Sequence, residues 1–214
     1  MVTTIALIDY GAGNVRSASR ALARSAELIE LDAKILMTAD PEDILGADRI
    51  VLPGVGHYAD CMAGLQSRPG VIDALTEAVR HNGRPFLGIC VGMQLLASLG
   101  LEDGETDGLG WIPGVVDRLE PWDSELAIPH MGWNEIFPRS HAVLADLGDN
   151  PHVYFTHSYA MSCEDENHIA ATFDYGGSFV AAVMRDNMFG TQFHPEKSQK
   201  TGQKILSNFL KWNP

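Results

Sequence analysis

The sequence predicts an α/β fold: a mostly parallel central sheet flanked by helices, with an additional antiparallel β section, in one domain spanning 1–214. Three features predict it. In the first half, short β-rich runs alternate with helical stretches, the rhythm of units that build parallel sheets. In the second half, β-rich runs follow one another across turns of Gly, Asp and Asn, as hairpins do. No internal repeat, low-complexity tract or linker interrupts the 214 residues, a length that can bury a full core.

Taken in order, Thr4 to Asp9 reads as the first strand. The stretch Met1 to Tyr10 lacks the basic start, long apolar run and small-residue cleavage site of an export signal. A helix begins near Asn14 and a second strand lies near Ile35 to Met37. Asp40 followed by Pro41 has the form of an N-cap with proline in the first helical turn. Arg49 to Leu52 is a strand, about Val71 to Asn82 a helix, and Pro85 to Ile89 a strand. Ile50-Val51-Leu52 and Phe86-Leu87-Gly88-Ile89 are almost continuously apolar, as strands covered on both faces must be. The acidic segment from Glu102 to Glu125 reads as an exposed loop. Strands are then expected at Val153 to Thr156, Ile169 to Phe173, Phe179 to Met184 and Met188 to Phe193. Tyr175-Gly176-Gly177 and Asp186-Asn187 form turns, and a helix over about Gln199 to Trp212 closes the chain.

The formal net charge of -13 disfavours unspecific nucleic-acid binding, which draws its affinity from Lys and Arg on phosphate. No run is long and apolar enough to suggest a membrane span. Cys61, Cys90 and Cys163 are scattered and odd in number, which argues against a disulfide framework or a cysteine-rich zinc site and fits a reducing, cytoplasmic setting. From Lys197 onward the chain carries Lys197, Lys200, Lys204 and Lys211 and no acid, an asymmetry in an otherwise acidic protein.

Gly88-Ile89-Cys90-Val91-Gly92-Met93-Gln94 places a cysteine between a strand and a helical run, with glycines two residues before and two after. That is the form of a nucleophile elbow, whose small flanking residues permit a tight turn that lifts the nucleophile above the sheet. Unpaired N–H groups and partial positive charge at the start of the following helix favour thiolate and can hold an oxyanion. A free cysteine is only slightly ionised at neutral pH and needs a base. Gly190-Thr191-Gln192-Phe193-His194-Pro195-Glu196 offers one, with His194 at a predicted strand end and Glu196 two residues on, where period-two geometry aims both side chains to one side. Separately, a core cysteine and a structural histidine are the plainer readings. Together the two motifs point to cysteine-based catalysis.

These two motifs resemble those of the class I glutamine amidotransferases, whose glutaminase domains carry a Cys-His-Glu triad in this order. Five further segments extend the resemblance from the first strand to the last helix: Asp9 to Asn14, Pro53-Gly54-Val55-Gly56, Pro129 to Asn134, His157-Ser158-Tyr159, and the continuation through Lys197-Ser198-Gln199. Within the family the set is most similar to glutaminase subunits of histidine biosynthesis. Only the stretch Ala26 to Lys34 departs, being longer than expected, which leaves the placement of the second strand open.

The resemblance implies a flavodoxin-like core and a division of labour among residues. Cys90, His194 and Glu196 are the catalytic set. Val91 supplies a backbone oxyanion donor, with a second from the Val55 and Gly56 loop. Gln94, Ser158 and Tyr159 hold glutamine, while Asn14, Trp133, Tyr154 and Lys197 face a partner. That partner would be a cyclase subunit in a one-to-one heterodimer, since 214 residues leave no room for a second catalytic domain. No cofactor and no metal are expected. Gly11-Ala12-Gly13-Asn14-Val15-Arg16 begins like a dinucleotide fingerprint, but Arg16 replaces its third small residue. His194-Pro195-Glu196 lacks the Pro-Cys-x-x-Cys of a zinc deaminase. The alternatives are another amidotransferase glutaminase, a cysteine hydrolase on a similar scaffold, or a binding subunit without turnover.

Overall fold

The computed structural model describes residues 2–214; Met1, where the reading of the N-terminal segment begins, lies outside the described residues. The first half runs β1 (Thr3–Ile8), α1 (Val15–Leu28), β2 (Ala33–Thr38), α2 (Pro41–Gly46), β3 (Arg49–Gly54), α3 (Tyr58–Gln66), α4 (Val71–Thr76), β4 (Phe86–Cys90) and α5 (Val91–Gln94). Then follow β5 (Leu99–Gly100), β6 (Thr106–Asp107), β7 (Gly114–Arg118), β8 (His130–Glu135), β9 (Phe137–Pro138), β10 (His152–His157) and β11 (Tyr159–Cys163). The chain ends with β12 (Ile169–Asp174), β13 (Ser178–Arg185), β14 (Met188–Thr191) and α6 (Gln199–Lys211).

The main sheet has eight strands in the order β2-β1-β3-β4-β14-β13-β12-β9. The first five are parallel, and antiparallel pairing continues the sheet from β14 to β9. The parallel part has the strand order of a flavodoxin-like fold. Its core is what the apolar runs foretold: every residue of β3 and β4 is buried, including Ile50, Val51, Leu52, Phe86 and Leu87. Burying each such side chain contributes about 1.5–3 kcal/mol. Helix α1 starts at Asn14, whose side chain accepts from the Ser17 amide at 3.3 Å, and buries Ala18, Leu22 and Ala26 at helical spacing. Asp40 caps α2 by accepting from the Glu42 amide at 2.9 Å, with Pro41 as the first helical residue.

Several expectations need correction. Residues 102–125 are more than an exposed loop. Most acidic positions there are exposed, but Glu102 is largely buried and accepts from the Tyr58 amide, Trp111, Ile112 and Val116 are buried, and β7 pairs with β5 and β11 in a separate four-stranded sheet. Strands β8 and β10 form a further two-stranded sheet. The helix expected over 71–82 changes at Thr76 to a wider π turn over Glu77–His81. Strand β14 stops at Thr191, short of Phe193. The stretch 26–34 adds no element. It is the end of α1, a short turn with Glu30 at φ 55°, and the start of β2.

The link from β4 to α5 is the tightest point of the fold. Cys90 sits at φ 55° and ψ -114°, a conformation costly for a side chain with a Cβ. The flanking glycines make room for it. A Cβ on Gly92 would overlap the Leu52 carbonyl oxygen, and one on Gly88 would lie 2.6 Å from the Gly92 oxygen. Both obstacles are backbone and cannot swing aside. Gly92→Ala is therefore expected to lower folding stability by about 2 kcal/mol or more, the range of overpacked cores. Urea unfolding followed by circular dichroism measures it, and an unchanged midpoint would refute the packing account.

Candidate active site

Adjacent strands β3, β4 and β14 end on the same edge of the sheet, with Gly54 in register with Cys90 and Thr191 with Ile89. Ligands of open α/β sheets bind at this edge, because loops leaving the carboxyl ends of neighbouring strands converge there. Here the converging loops carry Val55, Cys90 and His194.

The backbone of His194 is fixed from three sides. Its N–H donates to the Tyr154 carbonyl at 3.0 Å. Its own carbonyl accepts from Ser198 Oγ at 2.6 Å, and that oxygen accepts from the Tyr154 amide at 2.9 Å. The imidazole Nδ1 lies 2.7 Å from Glu196 Oε1, with the two side chains only 1% and 4% exposed. Nδ1 therefore carries the proton that bonds the carboxylate, and Nε2 is the working nitrogen. Strand periodicity does not produce this pairing. After β14 ends, Pro195 opens a 3-10 turn over Pro195–Lys197, and the turn folds Glu196 back beneath the ring.

Nε2 of His194 is buried and closes no hydrogen bond, with the Cys90 sulfur as its acidic neighbour. Burial alone pulls the imidazole pKa down. Hydrogen bonds to the Cys90 sulfur and to Glu196 outweigh burial and hold it up at about 9, so the imidazolium form of His194 is favoured.

Cys90 and His194 border a cavity of about 520 Å³, a size suited to a small molecule. Val91, Val55, Gly56, Gln94, Ser158 and Tyr159 also line it, so every oxyanion and substrate candidate meets the triad there. Gln94 is not a solvent-facing residue: it is 3% exposed and donates through Nε2 to the Tyr159 carbonyl and to Gln192 Oε1, each at 3.0 Å. Val91 begins α5, but α5 is a single turn. Its macrodipole is correspondingly small, so α5 offers an anion its free amides more than the field of a long helix. The Val55 carbonyl accepts a weak bond from Cys61 Sγ at 3.5 Å, and Gly56 lies at φ 99°.

The partner-facing candidates gather on one rim of this cavity. Asn14 and Lys197 line it, Lys197 Nζ sits 5.8 Å from the Tyr154 ring centre, and Trp133 meets Tyr154 edge-on at 6.0 Å. Trp133 is 47% exposed, an aromatic surface left open to solvent. Asn14 also serves as the α1 cap, so it has a structural duty as well.

Sequence reasoning missed Gln192, Tyr10 and the pairing of His130 with His157. Gln192 Nε2 lies 3.8 Å from the Cys90 sulfur. Tyr10 donates to the Pro53 carbonyl at 2.8 Å, bracing the loop that carries Val55, and burial pushes its phenol far up. All four residues lie inside the motif segments of the sequence, and that was the available signal.

A profile of the family described as "Glutamine amidotransferase class-I" matches residues 6–212. The chain belongs to the class I glutamine amidotransferases. It is 54% identical over 212 residues to "Imidazole glycerol phosphate synthase subunit HisH" of Caulobacter vibrioides, covering 99% of each chain. The protein of that description from Rhodospirillum rubrum is 52% identical over 212 residues, covering 98% of this chain and 99% of that one. A solved structure titled as a glutamine amidotransferase aligns with a TM-score of 0.70 at 19% identity, covering 96% and 97% of the two chains. A glutamine amidotransferase of Thermotoga maritima aligns with a TM-score of 0.60 at 16% identity, covering 94% of this chain and 80% of that one. At such low identity these two structures establish a common amidotransferase fold. Among the described residues, no helix is long and apolar enough to cross a membrane.

Near Cys90 and His194, burial pushes His130 and His157 down to about 4, well below the ordinary value of 6.5. The unfolded chain takes up both protons below about pH 6.5, while the folded protein resists until about pH 4. Their contribution to stability is thus complete above about pH 6.5 and is lost as the pH falls toward 4. The urea midpoint is expected to drop across that window, and to drop less steeply in His157→Gln. Parallel profiles for the two proteins would contradict the assignment.

Proposed function

We propose that this chain is the glutaminase subunit of imidazole glycerol phosphate synthase, releasing ammonia from glutamine for a cyclase subunit in histidine biosynthesis. The observation that carries the chemistry is the buried His194, locked to Glu196 at 2.7 Å with its other nitrogen turned to the Cys90 thiol. Identities of 50–54% to HisH subunits, over nearly their whole length, carry the choice of pathway.

The Cys90 thiolate attacks the side-chain carboxamide carbon of glutamine, forming a C–S bond and placing negative charge on the carbonyl oxygen. Backbone N–H groups of Val91 and of the Val55–Gly56 loop receive that oxygen, and losing one such donor costs about a hundredfold to a thousandfold in rate. His194 delivers its Nε2 proton to the nitrogen as the C–N bond breaks, so ammonia leaves and a glutamyl thioester remains. Neutral His194 then takes a proton from water, which attacks the thioester. Glutamate departs and the thiolate–imidazolium pair is restored. Throughout, Glu196 keeps the imidazole in one tautomer and stabilises its charged form. Gln94, Ser158 and Tyr159 hold the amino acid end of the substrate. No cofactor enters any of these steps.

Ammonia released into water would be protonated and diluted, so direct transfer to a second site is the purpose of the arrangement. Residues 1–214 act as one glutaminase domain, and the rim formed by Asn14, Trp133, Tyr154 and Lys197 is the face that docks the cyclase in a one-to-one heterodimer. The three free cysteines accord with a reducing cytoplasm.

In the complex with its cyclase, Cys90→Ala is expected to lower glutamine-dependent synthesis by at least about a thousandfold, as removal of a nucleophile does. Synthesis from added ammonium salt should continue at the wild-type rate. Loss of both activities would show that the two subunits do not divide the work in this way.

A further inference from the structure

Gln192, which the triad mechanism leaves unused, is fully buried with its Nε2 at 3.8 Å from the Cys90 sulfur. The direction of its amide follows from a chain of hydrogen bonds that starts at an acceptor of fixed identity, the Tyr159 backbone carbonyl. Gln94 must present its NH2 to that oxygen, which it meets at 3.0 Å, and its second N–H reaches Gln192 Oε1 at 3.0 Å. With its oxygen engaged, Gln192 turns its own NH2 toward Cys90. Both donors of Gln94 are then used, so it offers the cavity only its carbonyl oxygen, an acceptor for an N–H of the substrate.

The same Tyr159 carbonyl is held from behind. His157 Nδ1 meets it at 2.8 Å and must carry the proton there, which leaves Nε2 as an acceptor. His130 Nδ1–H donates to that nitrogen at 3.2 Å, and ring stacking on Phe155 and Phe173 packs His130 in place. Every bond in the relay has one permitted polarity, and every member from His130 to Gln192 is neutral.

We propose that Gln192 is a further catalytic residue, donating an N–H to the Cys90 thiolate, and that His157 and His130 are positioning residues acting on it through Tyr159 and Gln94. This rests on the glutaminase reading given above. The donor matters because Cys90 is only 4% exposed, and a buried anion is costly unless something hydrogen-bonds to it. A bond to an anion is about twice as strong as one to a neutral partner, so it favours the ionised sulfur over the thiol. Gln192 also donates to the sulfur as the C–S electron pair returns to it when water cleaves the thioester.

The test is the rate at which iodoacetamide alkylates Cys90, followed by mass spectrometry of the peptide that contains it. Gln192→Met keeps the bulk and removes the donor. Its Cys90 is expected to react about tenfold more slowly than wild type at neutral pH, the effect of one charge-assisted bond, and equally fast at high pH where every thiol is ionised. Gln192→Glu should behave alike and serves where the methionine variant does not fold. His157→Phe should slow the neutral reaction in the same direction, and His157→Gln, which restores a donor and an acceptor, should recover it. Wild-type rates at neutral pH in a folded Gln192 variant would overturn the proposal, as would slowing at every pH, which reports blocked access. If alkylation of wild-type Cys90 leaves glutamate release intact, the glutaminase reading itself fails. Loss of activity on alkylation with no Gln192 effect removes only the present inference.

Discussion

A residue with a Cβ held at φ 55° between β4 and α5 is the constraint on which the rest of the site depends. Such a conformation costs about 1–3 kcal/mol and persists only where surrounding structure over-determines it. The surroundings here are severe. Gly92 packs directly against the Leu52 backbone of β3, and Gly88 against the Gly92 backbone, so the chain has one way to leave the strand. That exit carries the thiol above the sheet edge, where β3 and β14 on either side deliver their own loops.

The electrostatics follow from burial at that edge. His194 and Glu196 are almost wholly enclosed, so contacts at the imidazole are only weakly screened by water, and Cys90 and Glu196 together let it keep its proton to about pH 9 despite desolvation. A few residues away, His130 and His157 obey the opposite rule because no acid faces them, and both stay neutral down to about pH 4. One small region thus holds a charged histidine paired with an acid and a neutral, mutually bonded pair of histidines. The neutral pair lends direction to Gln94 and Gln192, and those amides border the nucleophile.

What was legible in the sequence was local. The two glycines around Cys90, the apolar runs of β3 and β4, and the Asp40-Pro41 cap each encode their structure within a few residues, and each is present. Distant pairing was harder to see. Strands β8 and β7 mix polar and apolar side chains without a clean period, and they are defined by partners β10 and β11 that arrive later in the chain. Helix α3 carried a readable signature, with Tyr58, Cys61, Met62 and Leu65 buried at helical spacing, but the glycine-rich loop before it obscured its start. Period two suggested the right partner for His194 for the wrong reason, because the proline between them ends the strand and a turn brings the acid back. Gln192 gave no signal beyond its place in the segment that carries His194. Its role rests on a bond to a residue 98 positions away and on a carbonyl whose other donors only folding assembles.

The most direct measurement of the central claim is rapid quenching of the protein with its cyclase during glutamine turnover, followed by mass spectrometry of its peptides. Delivery of a strained thiol to a carboxamide predicts a glutamyl group, labile to hydroxylamine, on the peptide that contains residue 90 and on no other. Steady turnover with residue 90 unmodified at every quench time, or with the acyl group on a different side chain, would contradict it.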